Sequence, residues 1–265
     1  MVRIVSRLHF FFLKIPPKRT HPFPGDISCF SVVSRLLGID LSNTNVHGSL
    51  DVFHKTPALV ALDLHSTNVE GSIDCFEETP LLQSIDLDGI RGVFGSIRVF
   101  QSTPDLLALG LSGTSCFGDI RVFQFTPKLR VLRLAMTAAS HATEVPSRTS
   151  NESLVRRLDS NKVYGSLAVF AHLHQLRAIN LHATLCHGDL KVFKFTPRVH
   201  SINLNGTRAS GDVKVFEKTT RLQVLNIWRT EACGNLSVFK DLTGIKSLVL
   251  GHTRVVGKFP HFRSI

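Results

Sequence analysis

The sequence predicts a repeat solenoid, a fold in which short units of one structure stack side by side. Phenylalanine recurs at intervals of 23 or 24 residues along most of the chain. Each Phe also stands at the same point of a longer repeating pattern, which we call the unit. One unit is too short to form a hydrophobic core alone. The series comprises Phe30, Phe53, Phe76, Phe100, Phe123, Phe170, Phe193, Phe216, Phe239 and Phe262, with one double interval after Phe123.

The common unit reads L-x-x-L-x-L-x-x-T-x-V-x-G-x-L-x-V-F-x-x-T-P-x. Its L-x-L segment, such as Leu62 to Leu64, alternates inward and outward side chains and predicts a short strand. The Thr hydroxyl can bond to the backbone where the chain leaves the strand, and Gly permits a backbone angle or close approach that a side chain forbids. Phe fills the far side of the core, and Thr-Pro predicts an extended bend. Units begin at Leu36, Leu59, Leu82, Leu106, Leu129, Ser153, Leu176, Val199, Leu222 and Ile245.

A single unit cannot be stable by itself. It buries about eight apolar side chains, too few to offset the conformational entropy lost on ordering its backbone. Stacking adds buried contact area and hydrogen bonds between strands. The segment "GDISCF" at 25–30 matches only the second half of a unit, and the chain ends at Ile265 within another. We therefore expect a fragment, an unusual cap or a partner at each end, and self-association through uncapped ends is a further prediction.

The strand segment "LVALDLHSTNV" at 59–69 resembles the leucine-rich-repeat superfamily. Gly four residues after Thr, and the Gly-x-apolar-Pro form of "GKFPHF" at 257–262, are similar to the plant-type subclass, L-x-x-L-x-L-x-x-N-x-L-x-G-x-I-P. Thr replaces the Asn of that pattern in most units, Asn161 being the one Asn retained there, Val-Phe replaces Ile-Pro, and cysteine-rich flanks are missing. The resemblance implies a curved right-handed α/β-type coil. Its parallel sheet would line the concave face, with irregular or short helical segments on the convex face.

The predicted domain organisation has two parts. Residues 1–23 form a basic N-terminal segment, unstructured or targeting, and residues 24–265 form the solenoid of about ten units of 23–24 residues. The unit at 129–152 is irregular because His141 stands at the Gly position and Pro146 at the Phe position. It is either a decayed turn on the convex side or a hinge or protruding contact loop.

Charge and cysteine content limit the function classes. Five basic residues precede the first acid, Asp26, so the remaining chain carries +6 of the net +11 (11 − 5). This excess of positive charge is spread thinly along the chain, whereas nucleic-acid-binding proteins usually cluster it. Nucleic acid is therefore not expected as a partner. The five cysteines show no C-x-x-C pair, which favours free buried thiols. No stretch reaches the ~20 apolar residues of a transmembrane helix.

Outward positions of the predicted strands are the candidate binding surface. Along the central series of these positions the residue type changes in blocks. The blocks predict an acidic patch that includes Asp88, then an arginine pair, and then a ladder of amide side chains beside Asn205. An alternative is that exposed strand positions are polar in any case and carry no partner. The central series is Asp40, Asp63, Asp86, Gly110, Arg133, Arg157, Asn180, Asn203, Asn226 and Val249.

Trp228, the only tryptophan, lies at the next outward position beside Arg229. Trp and Arg are enriched among residues that dominate binding energy, so this pair is a candidate interface anchor. Half-buried packing on the last units is the alternative. Lys191, Lys214, Arg98 and Arg121 form a second series, which is either a solvated edge or a site for an anionic partner.

No catalytic, metal or cofactor site is predicted. The 13 histidines are scattered, and His172 and His174 lack a nearby carboxylate or cysteine. No phosphate-binding glycine motif and no activated nucleophile are present in the sequence.

The predicted function is a non-catalytic protein-protein interaction module that binds another protein or a peptide on its concave face. One alternative is a ligand-recognition ectodomain of a surface receptor or a secreted inhibitor. Glycan at Asn205 or Asn235, or processing of the first 22 or so residues, would favour it. Another is a regulatory repeat domain of a larger enzyme. The compartment stays open: missing cysteine caps favour an intracellular site, and the secreted or surface alternative stands beside it.

Overall fold

The computed structural model describes residues 12–14, 25–135 and 163–258. Its strands form two sheets in which every pairing is parallel, and short 3-10 helices connect them. The first sheet contains β1 (Phe12–Lys14), β2 (Gly38–Asp40), β4 (Ala61–Asp63), β6 (Ser84–Asp86), β8 (Ala108–Gly110), β10 (Val131–Arg133), β12 (Ala178–Asn180), β14 (Ser201–Asn203), β16 (Val224–Asn226) and β18 (Ser247–Val249). The second contains β3 (His47–Ser49), β5 (Asn68–Ser72), β7 (Val93–Ser96), β9 (Ser115–Asp119), β11 (Val163–Ser166), β13 (Leu185–Asp189), β15 (Arg208–Asp212), β17 (Glu231–Asn235) and β19 (Arg254–Val256).

Each regular unit of the sequence forms one coil of the solenoid. The chain passes through a first-sheet strand, a second-sheet strand and a 3-10 helix, and then enters the next coil one strand further along. We number the coils one to nine by the first-sheet strands β2 to β18. The helices are η1 (Ile27–Val32), η2 (Leu50–Lys55), η3 (Ile73–Phe76), η4 (Ile97–Ser102), η5 (Ile120–Phe125), η6 (Leu167–His172), η7 (Leu190–Phe195), η8 (Val213–Lys218) and η9 (Leu236–Phe239).

The L-x-L segments form the predicted strands. In coil two, Leu62 and Leu64 are buried whereas Asp63 between them is partly exposed. The strand register is constant from coil to coil, so Asp63 lies opposite Asp40 and Asp86. This sheet lines the concave face of the leucine-rich-repeat solenoid, as the sequence predicts.

The repeated phenylalanines form a spine through the core. Seven of them, from Phe53 to Phe216, are completely or almost completely buried in the described residues. Phe53 and Phe76 stack with ring centroids 6.1 Å apart, and the tilted rings of Phe193 and Phe216 have centroids 6.0 Å apart. Phe30 at the first helix is only partly buried, and Phe262 lies outside the described residues. The predicted packing role of this position is therefore confirmed for coils one to eight, from Phe53 to Phe239.

The predicted threonine hydroxyls bond to the backbone at both corners of the coil. After the strand, Thr67 Oγ1 donates to the carbonyl oxygen of Leu64 at 2.7 Å. After the helix, Thr56 Oγ1 donates to the carbonyl oxygen of Phe53 at 2.7 Å. Both bonds recur in most other coils. After the helix, the same carbonyl oxygen also accepts the backbone N–H of the threonine, as Phe53 does from Thr56 at 3.1 Å, so the hydroxyl adds a second bond that holds the turn.

The second sheet was not predicted, because the convex side was expected to be irregular or helical. Its strands surround the repeated glycine, and their sequence alternates as strands do: Val69 is buried between the exposed Asn68 and Glu70. A polar residue then caps the following helix. In coil five, Gly165 has φ +129°, and a Cβ there would lie 2.3 Å from Oδ1 of Asp119, the cap of the previous coil. Glycine thus lets the second-sheet strand pass close to the neighbouring cap.

The strand pairing on either side of the irregular unit differs from the prediction. Strand β10 pairs directly with β12, and Arg133 lies opposite Asn180, 47 residues along the chain instead of the usual 23. Strand β9 pairs directly with β11. The prediction that Arg157 occupies a strand position between Arg133 and Asn180 is therefore wrong, because the two neighbouring strands leave no place for it. Arg157 itself, and residues 136–152 of the irregular unit, lie outside the described residues.

One strand falls within the basic N-terminal segment. Strand β1 pairs in parallel with β2, and Phe12 lies opposite Gly38. The remainder of residues 1–23 lies outside the described residues, and the boundary between the two predicted parts stays a prediction. Within the described ranges, each 3-10 helix has only four to six residues and could not cross a membrane.

Candidate recognition surface

The central positions of the concave face have a structural role that the sequence analysis missed. In six coils, the Oδ1 atom of the Asp or Asn at this position accepts a hydrogen bond from the backbone N–H two residues later. These bonds are 3.1–3.2 Å long and close an Asx turn, which ends the strand. The six residues are Asp40, Asp63, Asp86, Asn180, Asn203 and Asn226.

The predicted acidic patch and the first predicted arginine form one cluster. Arg133 extends back across coil four to coil three, where its Nη2 donates to Asp86 Oδ2 and its Nε donates to Asp88 Oδ2. A Cβ at Gly110 would lie 2.6 Å from Asp86 Oδ1 and 2.7 Å from Arg133 Nη2. The glycine therefore creates the path for the arginine. We call Asp86, Asp88 and Arg133 the aspartate–arginine cluster.

Gly110 has no side chain that could accept the hydrogen bond closing its own turn. A side chain of the cluster takes that role. Asp88 Oδ1 accepts the N–H of Ser112, one coil further along, at 2.6 Å. Burial raises the pKa of Asp88, and this effect exceeds the lowering by the hydrogen bonds and charge of Arg133. The carboxylates of this cluster are thus occupied by internal partners.

Asp63 is also engaged. Its Oδ1 lies 2.7 Å from Nδ1 of His65, whose Nε2 lies 2.8 Å from Nδ2 of Asn43. Ligand atoms of Asp63, His65 and Asp86 lie within 4.8 Å of one another, a donor set that could hold a divalent cation. Arg133, however, already neutralises Asp86, and both ring nitrogens of His65 have partners. We therefore assign no metal to these residues.

The amide ladder on coils six to eight is different. Asn180, Asn203 and Asn226 lie opposite one another, and their Oδ1 atoms close the local turns. Within the described residues, their Nδ2 groups make no hydrogen bond, so three amide donors point from adjacent strands to the concave face. Asn205 Oδ1, at the next outward position, is buried and has no hydrogen-bond partner in the same part of the chain.

Trp228 lies at the end of this ladder and is held on three sides. The guanidinium carbon of Arg229 lies 4.1 Å from the centre of the indole ring, and the His252 ring meets it edge-on with centroids 5.2 Å apart. A Cβ at Gly251 would lie 2.9 Å from Trp228 Cδ1. Trp228 and Arg229 remain partly exposed. We call Asn180, Asn203, Asn226, Trp228 and Arg229 the amide–tryptophan cluster.

The structure thus divides the predicted site residues into two groups. The aspartates of the first coils, together with Arg133, are committed to turns and ion pairs. The amide–tryptophan cluster combines free donors with a fixed aromatic surface. Asn205 adjoins this cluster, and Arg157 lies outside the described residues.

No protein-family model matches the sequence, and no curated protein is detectably similar to it. Solved structures do match the fold. The LRR ectodomain of the plant membrane receptor kinase GASSHO1/SCHENGEN3 from Arabidopsis thaliana, in complex with CASPARIAN STRIP INTEGRITY FACTOR 2, has a TM-score of 0.67 and 18% identity over 88% of this chain and 26% of that one. The Arabidopsis receptor kinase HAESA ectodomain, in complex with an N-terminally extended IDA peptide hormone, has a TM-score of 0.65 and 18% identity over 88% and 42%.

A plant ice-binding protein matches with a TM-score of 0.65 and 18% identity, over 90% of this chain and 71% of that one. The chain spans only about a quarter and two fifths of the two matched receptor chains. These matched domains are non-catalytic. The protein therefore has the leucine-rich-repeat fold and matches plant-type ectodomains, as its repeat pattern predicts.

Proposed function

We propose that this chain is a ligand-recognition ectodomain of the plant-receptor type, which binds an extended peptide on its concave face without catalysing a reaction. The observation that carries the proposal is the amide–tryptophan cluster. Its three Asn side chains stand in register on β12, β14 and β16, with Trp228 fixed beside the last of them. This proposal narrows the broader prediction of a protein-interaction module.

The chemistry of the cluster suits a peptide backbone. An extended peptide presents carbonyl oxygens that its own secondary structure does not satisfy, and side-chain amides are neutral donors for such groups. Adjacent strands of a sheet lie about 4.8 Å apart, so the three donors cover about 10 Å of a ligand that runs along the solenoid. Trp228 supplies the large aromatic contact that commonly dominates binding energy.

The cluster is also rigid before a ligand arrives. Each Asn is fixed by its turn hydrogen bond, and Trp228 is restrained by Arg229 and His252. Side chains that are already ordered lose little conformational entropy on binding. The carboxylates of Asp86 and Asp88 are poorer candidates because a ligand would have to displace Arg133 from both.

The comparisons support a peptide as the ligand class. The matched HAESA ectodomain is a complex with a peptide hormone. Of the interpretations that the sequence leaves open, this likeness favours the ectodomain over a general scaffold.

Selection of a random-sequence peptide library on the full chain tests the proposal. Peptides enriched on the native chain should lose at least about tenfold in affinity with Trp228→Ala. The matched control is Tyr164→Ala, which removes an exposed aromatic side chain from the second sheet. Equal losses in both variants, or loss only in the control, would contradict binding at the cluster.

The ectodomain assignment has its own test. Asn235 lies in an N-x-S sequon, is exposed, and precedes the helix η9 that it caps. Protein recovered from its native source should carry N-linked glycan at Asn235 because secreted proteins are modified at accessible sequons. An unmodified peptide containing Asn235, found by mass spectrometry, would favour the intracellular interaction module instead.

A further inference from the structure

Basic residues accumulate where the chain enters the first-sheet strands of coils five to nine. In each coil, the residues immediately before and after the first Leu, Val or Ile of the unit, which is buried except for the partly buried Ile245, project from this entry edge. In the last five coils these are Lys128, Arg130, Gln175, Arg177, Arg198, His200, Arg221, Gln223, Gly244 and Lys246, with no carboxylate among them. The first four coils have Arg35, Leu37, Ala58, Val60, Leu81, Gln83, Asp105 and Leu107 there.

The backbone of this edge is fixed by hydrogen bonds between coils. The N–H of Arg177 donates to the Arg130 carbonyl oxygen at 2.8 Å, and the N–H of His200 donates to the Arg177 carbonyl oxygen at 2.8 Å. Gln223 and Lys246 continue the series with bonds of 2.8 and 2.7 Å. The positively charged side chains therefore project from a regular, stable support.

A groove of about 580 Å³ follows this edge from coil six to Gly244 of coil nine, outside the amide–tryptophan cluster. Arg177, Arg198 and Arg221 line it from successive coils, together with His200, Thr220 and Gln223. A groove of this volume is in the range of pockets that hold organic ligands, and one small inorganic anion would leave most of it empty.

The groove has positive charge without internal compensation. Within the described residues, Arg177 and Arg221 make no ion pair, and Arg198 donates to the neutral amide of Gln175. By contrast, Lys128 in coil five pairs with Asp105 at 2.5 Å. Three uncompensated guanidinium groups favour a ligand with several negative charges, because each can form paired hydrogen bonds to a carboxylate.

We infer that this basic edge is a docking surface for an acidic segment of a partner protein, separate from the proposed peptide site on the concave face. Arg177 and Arg221 are two coils apart, so the charges cover about 10 Å, or about three residues of extended chain. The groove lining contains no Phe, Tyr or Trp, and His200 is its one aromatic ring, so it lacks the series of stacking platforms that single-stranded nucleic acid uses, which favours carboxylates.

Fluorescence anisotropy with a fluorescein-labelled hexaglutamate peptide tests this inference at low ionic strength. The full chain should bind this probe and should not bind the matched hexaglutamine peptide. The variant Arg177→Gln, Arg198→Gln, Arg221→Gln should weaken binding at least about tenfold, since it removes the charge-assisted hydrogen bonds. Circular dichroism and the urea midpoint should match those of the native chain, because the three side chains are exposed.

A second variant with the same change of charge is the control. Lys191→Gln, Lys194→Gln, Lys214→Gln removes three exposed cations from η7 and η8 and should weaken binding less than about threefold. Equal losses in the two triple variants, or no binding by the native chain, would overturn the inference. Tighter binding of a short DNA duplex, weakened equally by both variants, would also overturn it by showing general polyanion attraction.

Trp228→Ala separates the two proposals in the same assay. It should leave hexaglutamate affinity unchanged, because the groove lining does not include Trp228. A loss of hexaglutamate binding in Trp228→Ala with full binding in the arginine variant would place the acidic ligand on the concave face and overturn the edge site.

Discussion

Removal of Arg133 from the aspartate–arginine cluster should destabilise the fold and leave a signature in its pH dependence. Arg133→Ala leaves the carboxylates of Asp86 and Asp88 without their cation. The Arg133 side chain is 36% exposed, and those of Asp86 and Asp88 are 24% and 25% exposed. Exposed pairs contribute about 0.2–1 kcal/mol, whereas breaking a buried pair costs about 3–5 kcal/mol. For this intermediate burial we expect a loss of about 2 kcal/mol at pH 7.

The sign of the pH dependence follows from linkage. Burial already raises the pKa of Asp88 above its usual 3.8 in the native chain, and Arg133 opposes that rise. Without Arg133 the folded-state pKa rises further, so the folded variant takes up a proton more readily than the folded native protein. Acidification through this pKa therefore stabilises the variant relative to the native chain. The difference in unfolding free energy should shrink as the pH falls towards 4.

Urea unfolding monitored by circular dichroism at pH 7 and at pH 4 measures this difference. The double variant Arg133→Ala, Asp88→Asn should recover part of the lost stability at pH 7, since it removes one uncompensated charge and keeps an acceptor for the Ser112 N–H. Arg130→Ala, which truncates an exposed side chain, is the control and should change stability by less than about 0.5 kcal/mol. A loss in Arg133→Ala that is no larger than in the control, or that does not depend on pH, would refute the role of the cluster.

Three further predictions concern the frame of the solenoid. Phe193→Ala should cost about 3–5 kcal/mol in urea unfolding, because it opens a cavity in the stacked spine; a loss under about 1 kcal/mol would contradict the spine. Gly165→Ala should cost about 2–4 kcal/mol through backbone strain and displacement of the neighbouring cap, whereas Gly25→Ala meets no atom within 4 Å and should be neutral. Burial raises the pKa of Cys116 and Cys186 to about 12, so a thiol reagent at pH 8 should label them only after unfolding, and rapid labelling of the folded chain would contradict their burial.

The frame of the fold could be predicted from the sequence because every unit repeats the same local instructions. Alternating Leu62 and Leu64, Thr67 and the buried Phe76 have the predicted roles. The second sheet was missed, although the alternation of Val69 with its polar neighbours was a readable strand pattern. The leucine-rich-repeat pattern is recognised mainly by its L-x-L strand, so only the sheet formed by those strands was predicted.

The concave face could be predicted only in part, because its contacts join different coils. Nothing in the local sequence states that Arg133 passes over Gly110 to reach Asp86. The signal for this contact in the sequence was the glycine itself, which stands in a series of positions that are mostly Asp or Asn. The position of Arg157 was misassigned because a constant period was assumed through the irregular unit, whereas β10 pairs directly with β12.

The basic edge also depends on contacts between coils, so it could not be predicted from the local sequence. Its residues follow no short motif, and they form a groove only when Arg177, Arg198 and Arg221 stack on successive coils. The basic series recognisable in the sequence at Lys191 and Lys214 lies instead on the helices. The signal in the sequence is that these repeat positions change from mostly neutral to mostly basic residues after coil four.

The most direct test of concave-face recognition uses the fact that the chain has one tryptophan, Trp228. A peptide selected on the full chain is titrated while its anisotropy and the Trp228 emission are recorded together. Binding at the amide–tryptophan cluster should shift the emission to shorter wavelength as the ring loses water contact, with the same dissociation constant in both signals. An anisotropy change that saturates without any change in Trp228 emission would place the ligand elsewhere and contradict the account.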